Sequence, residues 1–360
     1  MVSLTELGPT LRSGHERVVS VTDAATGLHA FIAIHSTARG PASGGCLMKA
    51  YPSKRAALRD ALRLSQAMSR QAALAGLPFG GGQCVVMADP AMKSGALLRA
   101  LGEAIHRLGG SYLTADDSGT TVLDMEVIRG VTPYARGLPL ASGEACPAAA
   151  YGTFLALQAA VAHRFGSPDL RGRRIAVQGL GSLGMQLCAY LAGAGARLIV
   201  ADLRTDLVAR AERDFGATAV PVEHILSIKT DVLSPNAFGD VICDATLPTI
   251  RAPIVVGGAN NQLRAPRHGL ALHKRGILYV PDYVANAGGL IDVALEGPGY
   301  SPARVLQSCE AIRDTTARLL REAEVLGMAP CELADRMAAE RVSRAHCRTL
   351  RILSAPLVMA

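Results

Sequence analysis

Tryptophan is missing from this 360-residue chain, and aromatic residues make up only 4% of it. Leu, Val, Ile and Ala must therefore fill its cores, and a hydrophobic share of 49% against 19% charged belongs to a folded globular chain, not a disordered one. Lysine is also scarce. Lys49, Lys54, Lys93, Lys229 and Lys274 are the only five, and arginine supplies the rest of the 37 basic residues. Because those arginines are scattered, the formal charge of +7 describes a solvated surface, and no nucleic-acid partner is expected. Long apolar runs are lacking too. The most apolar stretch, 146–162, contains Pro147 and Gly152 and falls short of the roughly 20 apolar residues that span a bilayer, so no membrane partner is expected. The opening residues lack the basic-then-apolar pattern of a secretory leader. The eight cysteines are dispersed with no CxxC pair, which points to reduced, mostly buried thiols in a cytoplasm and to no metal site.

What is present is enough chain for about two domains. Residues 16–23 and 28–35 are apolar, β-rich runs joined by a short loop ending at Gly27, a hairpin pattern. Apolar residues at Ala57, Leu58, Ala61, Leu62, Leu64 and Met68 give 54–75 a helical period. A strand near Cys84–Met87 follows a Gly80–Gly82 run read as a turn, then come a helix over 92–108 and a strand at Tyr112–Ala115. From Pro147 the pattern becomes regular alternation: a helix to about His163, the strand Arg174–Gln178, a helix from Ser182, and the strand Arg197–Ala201. Further strands are expected at 231–233, 254–256 and 277–280, and helices at 302–326 and 330–349. The first part reads as a mixed α/β layer and the second as a doubly wound, mostly parallel sheet. The break between them is expected near 140–147, where Gly143 and Pro147 punctuate the chain.

The strongest local pattern is RRIAVQGLGSLGMQLC. A strand runs into Gly179-Leu180-Gly181-Ser182-Leu183-Gly184 and a helix follows. Gly179 suits the tight turn, Gly181 lets a pyrophosphate approach the backbone, and Gly184 lets helix and strand pack closely. The N-terminal amides of the helix favour phosphate. Asp202, at the end of the next strand, is placed to accept both adenosine ribose hydroxyls and to repel a 2′-phosphate, so NAD is favoured over NADP; Arg204 nearby opposes that preference slightly.

Together the two halves resemble the glutamate, leucine, phenylalanine and valine dehydrogenase family, nearest its leucine and phenylalanine branch, over about residues 28–345. The blocks that carry the resemblance are GPASGGCLM (Gly40–Met48), AGLPFGGGQ (Ala75–Gln83), YLTADDSGTT (Tyr112–Thr121), VQGLGSLG, GGANNQLRAPRHG (Gly257–Gly269) and PDYVANAGGLIDV (Pro281–Val293). It implies an N-terminal α/β substrate and oligomerisation domain over 1–145 and a Rossmann-type NAD-binding domain over 146–329. It further implies a cleft between them, a C-terminal helix over 330–360 that packs back on the first domain, and a homo-oligomeric assembly. It also implies roles: Asp117 as the proton-transfer group at the substrate amine, Asn286 on the substrate carboxylate, Gly44 and Gly45 lining the cleft, and Asn260 and Asn261 near the nicotinamide ribose.

Two positions depart from the family. After the Gly-Gly-Gly run the family has a lysine that activates water; here stands Gln83. On the preceding helix it has a lysine that pairs with the substrate carboxylate; here stands Gln71. Glutamine carries no charge and takes no proton near neutral pH. A drift from lysine to arginine would have kept the cation. Arg70 adjoins Gln71, but a helical neighbour points about 100° away, and Lys49 near Gly44-Gly45 is expected to face solvent. Ser43 and Ala115 fall on the pocket side without defining a ligand. The leading expectation is an NAD-dependent oxidoreductase acting on the CH–NH or C=N centre of an amino-acid-like or imine substrate. An amino-acid dehydrogenase with an altered mechanism, and an inactive family member kept as a binding or assembly subunit, are the alternatives.

Overall fold

The computed structural model describes residues 1–8, 14–138, 146–237, 239–297 and 299–354; the Gly143 end of the expected break lies outside them. The chain divides into two compact units. One comprises Met1–Glu144, Val293–Tyr300 and Met337–Ala360, the other Ala145–Asp292 and Ser301–Arg336.

In the first unit β1 (Ser3–Glu6), β2 (Arg17–Asp23), β3 (Leu28–Ser36), β4 (Ala42–Lys49), β5 (Gly80–Met87) and β6 (Tyr112–Asp116) form one sheet in the order β1-β2-β3-β5-β4-β6. The pairs from β1 to β5 are antiparallel, whereas β4 pairs parallel with both β5 and β6. Alternation along the strands divides the core. Cys46, Met48, Cys84, Val86 and Tyr112 meet α2 (Gly95–His106) and α3 (Val122–Arg129) on one face. Phe31, Ala33 and Val85 meet Ala57, Ala61 and Leu64 of α1 (Lys54–Leu74) on the other. Gln83, two residues before Val85, therefore shares the face that α1 covers.

The expected glycine turn is instead the first part of β5. Its glycines serve close approach. A Cβ on Gly81 would run into the Ser69 backbone of α1, and one on Gly82 would lie 2.6 Å from Cδ2 of Tyr112. Strands β1 and β4 are additions to the expected set. β4 lacks a β-branched run and holds a Gly-Gly pair, so its alternation is hidden in the sequence. The hairpin forms as expected, with Gly27 at φ +71°. At the far end of the chain, Arg341 of α11 (Pro330–Ser354) donates to the carbonyls of Ala73 and Leu74, at 2.9 and 2.7 Å, satisfying acceptors left open at the end of α1.

In the second unit β7 (Arg174–Gln178), β8 (Arg197–Ala201), β9 (Thr218–Ala219), β10 (Val232–Pro235), β11 (Ile254–Val255) and β12 (Leu278–Tyr279) are all parallel, in the order β9-β8-β7-β10-β11-β12. This is the doubly wound arrangement expected, with the chain moving outward from β7 to β9 and then crossing back to β10. The strand order reverses between β7 and β10, and ligands of such sheets bind at the carboxyl ends of the strands there. That end of β7 leads into Gly179–Gly184 and the helix α5 (Ser182–Gly193), while α4 (Cys146–Phe165) and α10 (Pro302–Leu326) pack beside each other.

Candidate functional site

In the first unit the residues nominated from separate sequence blocks meet. Gln83 Nε2 donates to Asp117 Oδ2 at 2.9 Å, and Gln83 Oε1 accepts from the Gly45 amide at 3.2 Å. Asp117 Oδ1 accepts from the Ser118 amide at 2.7 Å. Parallel pairing of β4 with β5 and β6 produces this meeting, because its register sets Gly45 and Gln83, both mid-strand, beside the end of β6 that leads into Asp117. The glycines are required by space. A Cβ on Gly45 would come 2.6 Å from Asp117 Oδ2, and one on Gly44 would overlap the Gly82 carbonyl.

Burial pushes the Asp117 carboxyl above its ordinary value, against the opposing pull of the Ser118 amide, the Gln83 amide and the more distant Lys49 charge. Lys49 itself is half-exposed, with Nζ 3.1 Å from Asp60 and 4.6 Å from the centre of the Tyr51 ring. Gln71 is buried in the last turns of α1, at 4% exposure.

Two side chains absent from the sequence reading complete this group. Tyr112, fully buried, donates from Oη to the Gly45 carbonyl at 2.8 Å. Thr120 Oγ1 donates to the Cys46 carbonyl at 2.8 Å and accepts the Asp117 amide at 3.0 Å, closing the turn that aims the carboxylate. Both lie in the TADDSGT block or beside it; the Thr120–Asp117 bond is local, but those to the Gly45 and Cys46 carbonyls span 67 and 74 residues and leave no local pattern.

The second unit gathers the other nominated residues. Gly179 has φ +89°, in the left-handed region that favours glycine, and a Cβ there would lie 2.7 Å from the Ala237 amide. A Cβ on Gly184 would overlap the Gly179 carbonyl, whereas one on Gly181 would meet no atom within 4 Å. The loop thus has open space beside Gly181, at the N-terminus of α5 that Ser182 and Leu183 begin. Asp202 Oδ2 accepts from the Leu180 amide at 2.6 Å and Oδ1 from the Arg204 amide at 2.8 Å, tying the second strand to the glycine loop. The Arg204 guanidinium lies 3.0 Å from Asp206.

Asn286 Nδ2 donates to Asn260 Oδ1 at 2.6 Å and to the Gly258 carbonyl at 3.2 Å, so both its hydrogens are in use. Asn261, with φ +53°, donates its amide to Asp282 Oδ2 at 2.6 Å. Gln262 Nε2 donates to the carbonyls of Gly257 and Ala259, at 2.7 and 3.1 Å. Asp282 and Gln262 were not singled out in the sequence, although both stand inside blocks that were.

Among the described residues no helix is long and apolar enough to cross a membrane, and Cys46, Cys84, Cys188, Cys243, Cys309 and Cys331 are free thiols.

Residues 15–134 match the family described as Glu/Leu/Phe/Val dehydrogenase, dimerisation domain, and residues 199–347 match Glutamate/Leucine/Phenylalanine/Valine dehydrogenase. The chain is 44% identical over 333 residues to a leucine dehydrogenase of Bacillus cereus, covering 91% of each. It is 40% identical over 344 residues to a valine dehydrogenase of Streptomyces albus, covering 94% of each. Against the crystal structure of L-tryptophan dehydrogenase from Nostoc punctiforme the TM-score is 0.78, with 38% identity, over 94% of this chain and 99% of that one. With two family models covering most of its length and relatives alike from end to end, the chain belongs to the glutamate/leucine/phenylalanine/valine dehydrogenase family.

Proposed function

We propose that the protein is an NAD-dependent oxidoreductase acting at the CH–NH or C=N centre of an amino-acid-like substrate, and that it reduces preformed imines or oxidises amines in preference to deaminating amino acids. The observation that carries this reading is the Gln83 amide, whose two ends are committed to Asp117 and Gly45. A side chain so held orients its neighbours but removes no proton from water. A reaction that neither adds nor expels water or ammonia needs no base there.

The cofactor is NAD, which when bound would accept a hydride as NAD⁺ in amine oxidation and supply one as NADH in imine reduction. Gly181 leaves the space its pyrophosphate would take, Gly179 and Gly184 allow the turn and the close packing around it, the N-terminal amides of α5 from Ser182 and Leu183 would face the phosphates, and Asp202 would accept from the ribose. Asn260 and Asn261 serve the nicotinamide end. Asp117 handles the proton: its carboxyl gives one to nitrogen as an imine is reduced and its carboxylate accepts one as an amine is oxidised, and burial shifts the balance toward the protonated form. Gln83 holds Asp117 in place, Gln71 orients the substrate as a neutral group, and Gly44 and Gly45 keep the approach clear. Asn286 holds the substrate carboxylate, which requires it to give up one of its two present acceptors.

Calorimetry with NADH and then with ligands tests this. NADH should bind more tightly than NADPH, since Asp202 opposes a 2′-phosphate. Gly181→Ala should fold as the parent does, because the added Cβ meets no atom within 4 Å, yet weaken NADH by about tenfold or more by intruding on the phosphate position. Gly184→Ala should lower stability by about 1–3 kcal/mol as well, through overlap with Gly179. With NADH bound, a cyclic imino acid should bind where a 2-oxo acid binds weakly. Equal NADPH affinity would remove Asp202 from its role, and preferential binding of the oxo acid would remove the imine reading.

A further inference from the structure

The segment 257–262, which carries Asn260 and Asn261, is gripped from two sides. On one side the Asp240 amide donates to the Asn261 carbonyl at 2.8 Å and the Ile242 amide to the Gln262 carbonyl at 2.9 Å. A Cβ on Gly239 would come 2.7 Å from the Asn260 carbonyl oxygen, so that backbone lies flush against the loop. On the other side stands Asp282, the first residue of the short helix α8 (Asp282–Ala285). Its side chain is buried, with Oδ2 accepting the Asn261 amide at 2.6 Å and Oδ1 accepting the Tyr279 hydroxyl at 3.0 Å.

The geometry needs such a hold. Asn261 sits at φ +53°, a left-handed conformation that asparagine tolerates better than other residues with a Cβ but that is still uphill of the extended one. An amide turned this way is outside any strand ladder, and a partly buried N–H left unmet is costly. Asp282 supplies the missing acceptor.

From these contacts we infer that Asp282 is the positioning residue that keeps the Asn260–Asn261 loop in the form that receives the nicotinamide end of the cofactor, an inference that rests on the NAD reading above. Asn286 also holds Asn260, but that bond is one the reaction must loosen, because a substrate carboxylate needs a hydrogen that Asn286 now spends. Asp282 is under no such demand. It reaches back to Tyr279 at the end of β12, so the loop is anchored to the sheet and not to the substrate. Burial keeps the Tyr279 phenol well above its ordinary range, so it stays a donor to the carboxylate at any working pH.

The test compares Asp282→Ala with Asp282→Asn in the full chain, by amide hydrogen exchange without cofactor and by NADH titration followed by fluorescence. Asparagine keeps an oxygen for the Asn261 amide, and its NH₂ is met by the Tyr279 oxygen acting as acceptor, so geometry survives while charge is lost. Asp282→Ala should speed exchange over 257–262 about tenfold or more, leave β7 and β8 unchanged, and weaken NADH by a similar factor. Asp282→Asn should stay within about threefold of the parent in both. Should Asp282→Ala not fold, Tyr279→Phe takes its place, with faster loop exchange and weaker NADH binding still expected, by about two- to fivefold. The inference is overturned if loop exchange and NADH affinity do not move, if asparagine and alanine cost the same, or if exchange rises throughout the second unit. Failure to turn over an imine would leave these results standing and count against the proposed reaction alone.

Discussion

Gln71→Lys combined with Gln83→Lys is expected to raise NAD-dependent oxidation of an amino acid about 10²–10⁴-fold over the parent, the range a positioned general base contributes. The new lysine at 83 would replace a side chain whose nitrogen already sits 2.9 Å from Asp117 Oδ2, so its stem enters a prepared path. Position 71 is buried, and burial lowers the pKa of a lysine placed there; the family resemblance sets it in the same site as position 83, where a second cation would lower the first by repulsion. Gln83→Lys alone should therefore gain less. The change has a structural cost, because the Gly45 amide loses its acceptor on Gln83 and Asp117 gains a cation against it. Imine reduction should fall in the double variant, since added positive charge in the site disfavours a protonated iminium. Steady-state NADH formation over an amino-acid panel reads this out. A folded, NADH-binding double variant inert to every amino acid would show that the site differs from its relatives beyond these two residues, and the inactive-subunit alternative would then lead.

Asp117→Asn should cut imine reduction and amine oxidation by about 10²–10⁴-fold while leaving NADH affinity unchanged, because it removes the proton-transfer group and changes no residue assigned to the cofactor. The pH dependence of the parent carries the sign. Burial holds the Asp117 proton to a higher pH than an ordinary carboxyl, so imine reduction, which needs the acid, should fall as pH rises through that raised value; amine oxidation, which needs the carboxylate, should rise. Stability follows the same linkage. A carboxyl whose folded value is raised contributes fully below its unfolded value of about 3.9, and the contribution is lost as pH rises through the folded one. The melting temperature of Asp117→Asn relative to the parent should therefore improve from pH 4 to pH 8. A variant retaining full activity, or a parent with a flat pH profile for both directions, would assign proton transfer elsewhere, with Lys49 the first residue to change.

Much of this arrangement is legible in the sequence. Arg174–Gln178 and Arg197–Ala201 form where their apolar runs place them, because each is bounded by charge on one side and by a turn on the other. The nominated site residues fall within their units as blocks. What the sequence hides is partnership. Gly80–Gly82 reads as a turn since glycine permits positive φ, but here the missing Cβ is what matters, letting α1 and Tyr112 press against β5. Gln83 was nominated as a loss of charge; that its amide bridges Gly45 and Asp117 depends on three strands meeting in register. Tyr112, Thr120 and Asp282 escaped because each acts on backbone far along the chain or on a neighbour whose φ cannot be read from composition.

One comparison bears most directly on the chemistry: kcat/KM for NADH oxidation with a cyclic imino acid against kcat/KM with a 2-oxo acid plus ammonia, in one preparation and at one pH. The imine is already formed in the first case, whereas the second must build it by attack of ammonia and loss of water, the steps for which Gln83 offers no base. The expected result is a ratio well above one for the cyclic imino acid, with oxidation of leucine, valine and phenylalanine barely detectable. A ratio below one, with leucine oxidised at the common enzymatic turnover of about 10 s⁻¹, would contradict it and mark the protein as a deaminating dehydrogenase that has recruited another base.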